Sequence, residues 1–337
     1  MKALITGGGG FLGSAIAHML HTRGDEVIVL GRRRYAHHEQ AGLATVQADI
    51  RDAAAVGRAC GGVDVVFHTA ALAAIWGPRK RFHDINVGGT RNVIDACRNA
   101  GVGRLVFTSS PSVVFGDEDL CGVDESQPYP QRFLAHYPET KAEAERLVLG
   151  ANGPGLATAA LRPHLIWGPG DPHLIPRVIE RARQGKLMQI GDGTNLVDIT
   201  YIDNAAEAHL LACDALLSVG VEQSSSFAAP CAGKAYFISQ GEPVALWPWL
   251  GGILNAVGAP PIRRSVSYAA ARWIGTVAEA VYRFMRLPGE PRMTRFLAAQ
   301  LAKSHYFDIS AARSDFGYVP RVSTQEGLLR LLGWLSR

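Results

Sequence analysis

The 337-residue sequence predicts an α/β fold, a doubly wound parallel sheet followed by a smaller, mostly helical C-terminal region. Three observations carry this reading. The chain opens with a short apolar run of strand type, Ala3-Leu-Ile-Thr6, which breaks into glycines Gly7 to Gly10 before Leu12, Ile16, Met19 and Leu20 recur at helical spacing. Apolar runs at 26–31, 44–48, 63–68 and 104–110 then alternate with helical stretches, as in a sheet built by crossovers. Among them Val63-Asp-Val-Val-Phe-His68 is almost continuously apolar, as a strand covered on both faces must be.

The glycine turn is the first element with chemistry. Gly7, Gly10 and Gly13 follow a Gly-x-x-Gly-x-x-Gly spacing, and Gly8 also satisfies one reading of Gly-x-Gly-x-x-Gly. A glycine-rich turn from strand to helix lets the backbone approach a pyrophosphate, with the amides of Phe11, Leu12 and Gly13 at the positive end of the helix. This is a Rossmann-type dinucleotide site. The second strand, Glu26 to Gly31, lacks the terminal acid that takes an adenosine ribose and runs into Arg32-Arg33-Arg34 instead. Guanidinium groups pair with a 2′-phosphate, so NADP is favoured, with NAD possible; the alternative is a solvated basic loop. Asp49 and Ile50, after the third strand, are placed to meet the adenine edge, although acids also cap helices and Asp52 begins one. His68 reads as a packing histidine. After it Thr69-Ala70-Ala71 leave room for a cofactor, and the Trp76-Gly77-Pro78 loop borders the substrate.

A helix is expected from Asn86 to about Asn99, and the strand Arg104 to Ser110 brings hydroxyls to the same sheet edge. A strong helix follows from His136 to Arg146, in which Tyr137 and Lys141 stand at i and i+4 and share a face.

With these elements in order, the chain resembles the extended short-chain dehydrogenases/reductases. The matching motifs are Thr6 to Gly13, His68 to Ala71, Asn86-Val-Gly-Gly-Thr90, Thr108-Ser-Ser110, Tyr137-x-x-x-Lys141, and Leu161-Arg-Pro163 through Trp167-Gly-Pro-Gly170. The tail Glu290 to Phe296 and His305 to Ile309 is similar to the 3β-hydroxysteroid dehydrogenase group, and most to its bacterial 2-alkyl-3-oxoalkanoate reductases. The resemblance implies that Tyr137 is the catalytic acid/base, Lys141 its partner and Ser110 the hydroxyl that orients the carbonyl, with Ser109 and Ser112 as alternatives. It also implies that Tyr137, Lys141 and Pro163 touch the nicotinamide end of the cofactor. A free tyrosine has a pKa near 10, and a nearby ammonium and the nicotinamide's positive charge are expected to lower it.

These readings divide the chain into residues 1–165, the dinucleotide-binding core with the catalytic groups, and 166–337, mainly substrate-binding, with the strand and helix 196–217 returning to the core. Leu156 to Trp167 is expected to continue the sheet, Ile175 to Arg183 to be helical, and Ser218 to Lys234 to be a mobile loop. The stretch 265–285 reads as an amphipathic helix that covers the core, or as an apolar lid that touches a membrane or another enzyme. Thr324 to Leu335 closes the chain as a helix capped by Ser323.

The implied substrate is a large apolar small molecule, enclosed by Trp247, Trp249, Leu250, Ile253, Trp273, Tyr282, Phe284 and Phe296, with Arg292 or Arg295 for a carboxylate. A 3-oxo acid leads, with a 3β-hydroxysterol as the alternative. A nucleotide-sugar epimerase or dehydratase is disfavoured by the aromatic-rich 247–285 segment, and a non-catalytic dinucleotide sensor by the Tyr137/Lys141 pair.

A formal charge of +4 without a basic stripe excludes nucleic acid as the obvious partner. Five scattered cysteines, with no Cys-x-x-Cys, give neither a metal framework nor a disulfide scaffold, and point to a reducing, cytoplasmic setting. The chain begins at its first strand, which leaves no room for a signal peptide, and no run of 18 apolar residues occurs. A homodimer is expected.

Overall fold

A computed structural model describes residues 1–172, 174–216 and 229–336. Its centre is a seven-stranded sheet. The first five strands in chain order are β1 (Lys2–Thr6), β2 (Glu26–Gly31), β3 (Ala44–Gln47), β4 (Val65–His68) and β5 (Arg104–Thr108). Two more, Ala157–Pro163 and Lys234–Ile238, extend the sheet beyond β5, and every pairing is parallel. The order across the sheet, from β3 through β2, β1, β4 and β5, reverses direction at β1. In such sheets ligands bind at the carboxyl ends of the strands beside that reversal.

The strands are apolar because both faces are covered. On one side Ile5, Phe67 and Val106 meet Ile16, Leu20 and residues of the helix Ile202–Ala215. On the other Leu4, Val66 and Leu105 meet Val93, Cys97 and Val148.

The structure departs from the sequence expectations at several boundaries. The helix expected from Asn86 starts earlier, as Arg79–Phe82, passes through a wide π turn at His83–Gly88, and continues as Gly89–Ala100. Such bulges gather at functional sites because they re-aim side chains. The run Leu156 to Trp167 does not stay in one sheet, since it breaks after Pro163 and Ile166–Trp167 pairs with Thr200–Tyr201 instead. The strand expected over 196–202 is likewise split into Leu196–Val197 and Thr200–Tyr201, which join different small sheets. Of the loop expected over 218–234, residues 218–228 lie outside the described residues, and Lys234 already begins a strand.

The helix Tyr268–Phe284 packs on the helix Arg295–Ala302 through Ala271, Gly275 and Glu279. A Cβ at Gly275 would stand 2.7 Å from the Thr294 backbone, so glycine permits this close crossing. The opposite face, with Trp273 68% and Phe284 90% exposed, is uncovered. Among the described residues no helix is long and apolar enough to cross a membrane.

Candidate active site

Two glycines shape the turn after β1. Gly7 has φ +73°, and a Cβ there would stand 2.7 Å from the Ala70 backbone at the end of β4. A Cβ at Gly13 would stand 2.4 Å from the Gly7 carbonyl oxygen. The Gly10 amide donates to that carbonyl at 2.9 Å, and Gly10 caps the helix Phe11–Thr22 with no side chain at its amides. The start of that helix therefore lies against a cradle that added side chains would fill. A dinucleotide's pyrophosphate fits it.

Beside the cradle, Arg32, Arg33 and Arg34 are exposed at the end of β2. The ring of Tyr35 lies between the turn and β2, where a Cβ at Gly9 would fall 1.9 Å from it and one at Gly31 would fall 2.5 Å from its Oη. His38 is buried beneath, with Nε2 3.0 Å from the Gly8 carbonyl and 3.1 Å from Ser14 Oγ. Burial pushes its pKa down. Neither Tyr35 nor His38 belongs to a recognisable spacing, so sequence reasoning passed over both.

Asp49 accepts from Arg51 at 2.8 Å, and that hydrogen bond holds its carboxyl below the usual range. Ile50 is buried against Gly89, while Thr69 donates to the Thr6 carbonyl at 2.8 Å and Ala71 is exposed. His68 is a core residue: Nδ1 accepts from Thr6 at 2.6 Å and Nε2 donates to Thr90 at 2.9 Å. Burial pushes its pKa down to about 3.

The helix His136–Gly150 brings Tyr137 and Lys141 to the end of β5. Ser110 lines the same cavity as Tyr137, and its Oγ lies 2.9 Å from Ser112 Oγ. Burial raises the phenol's pKa, with Ser110 alone opposing it. That corrects the expectation of a lowered tyrosine: burial outweighs the opposing influence of Ser110. The Lys141 ammonium is buried, donates to the Thr108 carbonyl at 2.5 Å, and is pushed down to about 7 by desolvation, with Glu145 pulling upward. Glu145 in turn grips Arg162 at 2.7 and 3.0 Å and accepts from Tyr129 at 2.6 Å. Asn86, on the π turn, accepts from the Leu72 amide at 2.7 Å and donates to Thr140 at 3.0 Å, which ties the loop after β4 to the Tyr137 helix.

Ser110, Ser112, Tyr137 and Pro163 share a cavity of about 170 Å³ with Phe115, His164, Leu165, Phe296, Gln300, His305 and Phe307. Ser109 is buried and does not line the cavity; its hydroxyl acts on Glu145, helping to keep that carboxylate ionised. Of the aromatic and aliphatic residues expected to enclose a substrate, Phe296 alone reaches this wall. Trp247, Leu250 and Ile253 are core, Trp249 packs edge-on to Trp167, and Trp273 and Phe284 face outward. Arg295 is not in the cavity either: it is bound to Glu279 at 2.9 Å beside a second groove of about 380 Å³ that includes Trp76, Phe82 and His136. Arg292 is exposed and lines neither.

Fold and site together define a nicotinamide-dependent oxidoreductase. The chain belongs to the 3-beta hydroxysteroid dehydrogenase/isomerase family, whose sequence profile matches residues 4–266. It is 50% identical over 334 residues to a 2-alkyl-3-oxoalkanoate reductase of Stenotrophomonas maltophilia, with 98% of each chain covered. It is 35% identical to a 3 beta-hydroxysteroid dehydrogenase/Delta 5-->4-isomerase of Mycobacterium tuberculosis strain H37Rv, covering 98% of this chain and 89% of the other. Among solved structures it is similar to MoeE5 in complex with UDP-glucose and NAD, at 26% identity and a TM-score of 0.74, covering 100% of this chain and 99% of that one. It is an NAD(P)-dependent enzyme of this family.

Proposed function

We propose that the enzyme reduces the 3-carbonyl of 2-alkyl-3-oxoalkanoates with NADPH. The observation that carries this reading is the small cavity in which Tyr137 and Ser110 meet an aromatic wall, in a chain half identical, end to end, to a reductase of that name. A nicotinamide held in this site would supply the hydride that reduces the carbonyl carbon. Ser110 holds the carbonyl oxygen, and Tyr137 delivers the proton that completes the alcohol. Lys141, fixed by Thr108, stands one turn beyond Tyr137 on the same helix, where in this reading it would help hold the nicotinamide end of the cofactor.

In this reading residues 1–165 hold cofactor and catalytic groups and 166–337 mainly shape the substrate site. Gly7, Gly10, Phe11, Leu12 and Gly13 would hold the cofactor's pyrophosphate and Arg32 and Arg33 its 2′-phosphate. Asp49 and Ile50 would meet the adenine, Thr69 to Ala71 would border the cofactor, and Pro163 would meet the nicotinamide. The cavity of about 170 Å³ is smaller than the roughly 300–1,000 Å³ that encloses a drug-sized ligand. A β-oxo acid head is small enough for this space, whereas a rigid sterol skeleton demands more room at the reacting carbon. The enzyme is cytoplasmic and homodimeric in this reading, and the exposed Trp273 and Phe284 face supports a peripheral contact of 265–285 with a membrane or another enzyme.

The test is a set of NADPH oxidation assays on 2-alkyl-3-oxo acids of increasing chain length, beside NAD reduction on 3β-hydroxysterols. Rates on the acids that climb with chain length support the proposal. Turnover of sterols with none of acids would overturn it.

A further inference from the structure

The polar lining of the cavity comprises Ser110, Ser112 and Tyr137 together with His164, Gln300 and His305. Both histidines are buried, His164 being 6% and His305 1% exposed, and reduction of the carbonyl uses neither. Nε2 of His305 donates to the Gln300 carbonyl at 2.9 Å. Its Nδ1 therefore keeps a lone pair, which accepts from Nε2 of His164 at 2.6 Å. Neutral His164 carries no proton on its remaining nitrogen. The backbone holds this residue under constraint: Thr200 donates to its carbonyl at 2.6 Å, and Leu165, next in the chain and also in the wall, has φ 37°. A branched residue keeps such a conformation only when the surroundings impose it, and that occurs most at binding sites.

We propose that the His164–His305 pair is the receptor for the substrate's carboxylate and that it takes up one proton as the carboxylate enters. This rests on the 3-oxo acid reading above. In a β-oxo acid the carboxyl carbon is two bonds from the reacting carbon, so an oxygen held at Tyr137 puts the carboxylate inside the same cavity. No guanidinium or ammonium lines that wall. Arg295 is committed to Glu279, and Lys141 to Thr108. The neutral donors there, Ser110, Ser112 and Gln300, leave the anion's charge unbalanced, and an uncompensated buried charge is costly. One added proton gives His164 a donor at its second nitrogen and a positive charge beside the anion.

Before substrate arrives, burial keeps both rings neutral. The groups that act on them are few. Tyr137 lines the same cavity. Asp119 acts on His305 by charge. The Asp198 amide donates to the His305 carbonyl at 3.1 Å, and burial raises its carboxyl to about 6. Asp198 titrates whichever substrate is present, so its effect cancels when an acid is compared with its own ester.

The experiment measures kcat/KM from pH 6 to 8 for one 2-alkyl-3-oxo acid and its methyl ester, in the wild-type enzyme and in His164→Gln. In the wild type the acid-to-ester ratio is expected to fall about tenfold per pH unit, as uptake of one proton requires. In His164→Gln the ratio is expected to be at least about tenfold lower at pH 6 and flat with pH, because the amide replaces the ring but takes up no proton. NADPH binding by fluorescence establishes that the variant is folded, and the wild-type profile stands without it. A flat wild-type ratio with good turnover of the acid overturns the inference alone, and so does an unchanged ratio in folded His164→Gln. Turnover of the ester but not the acid overturns the substrate reading and the inference together.

Discussion

Lys141 donates its ammonium proton to the backbone carbonyl of Thr108 at 2.5 Å, and this bond locks the catalytic helix to the end of β5. The same ammonium lies 3.9 Å from the centre of the Phe107 ring. Neither partner is an anion, so the charge is sustained mainly from Glu145, one turn further along. With its pKa near 7, Lys141 of the ligand-free enzyme is about half charged at neutral pH.

Stability should record that depression. Between pH 7 and pH 10 the unfolded chain holds the Lys141 proton more tightly than the folded one, so this residue makes stability rise with pH. Lys141→Met removes the titration. Its stability relative to wild type is expected to fall by roughly 1.4 kcal/mol for each pH unit above 7.5, levelling off near pH 10. Denaturant unfolding of both proteins at several pH values checks this, and a constant difference would refute it.

Tyr137→Phe removes one hydroxyl and leaves the ring in place. Turnover is expected to fall on the order of 10²–10⁴-fold, the usual contribution of a general acid, with NADPH affinity nearly unchanged. Retention of most of kcat would move the proton donor elsewhere.

The cofactor prediction is sharpened by Tyr35. Any side chain at Gly31 displaces the Tyr35 hydroxyl, which makes Gly31→Asp an ambiguous test. Replacing Arg32 and Arg33 by Ser leaves that contact alone. We expect kcat/KM for NADPH to drop about tenfold or more, since charge-assisted bonds to a phosphate are lost, with NADH little affected. Equal use of both cofactors by the wild type would contradict this.

Gly275→Val tests the crossing of the two C-terminal helices. The added atoms meet the Thr294 backbone, so the helices must separate, at about 1–3 kcal/mol. Phe296 and Gln300 ride on the helix that moves and line the cavity, so KM for the 3-oxo acid should rise as well. Thermal melts and kinetics on one preparation decide it; an unaltered melting temperature would show that the crossing yields freely.

The N-terminal sheet was legible because its signals are local. Ala3 to Gly13 states a strand, a turn and a helix within thirteen residues, and Val63 to His68 states a buried strand by composition alone. Tyr137 and Lys141 stood out through their order after the glycine turn and the serine-bearing strand, since a Tyr and a Lys four apart occur in many helices. The rest of the cavity did not stand out, because His305 reaches Tyr137 from far along the chain and nothing near it in sequence announces the meeting. Arg295 misled for a related reason: its charge is visible in sequence, while the Glu279 that holds it becomes a neighbour only once two helices cross. The aromatic residues around Trp247 failed as pocket walls because apolar size does not distinguish a core from a binding site.

The last strand of the central sheet, Lys234–Ile238, hydrogen-bonds to Ala157–Pro163 from more than seventy residues further on. A nascent chain that has emerged only through the Tyr137 helix and Pro163 thus carries six of the seven strands, with an open, apolar edge and one face still waiting for the helix Ile202–Ala215. Such edges recruit other chains. Assembly of this enzyme therefore has a vulnerable interval that lasts until residue 238 has been made and docked. During synthesis at about 5–20 residues per second that is several seconds, long enough for a chaperone to matter.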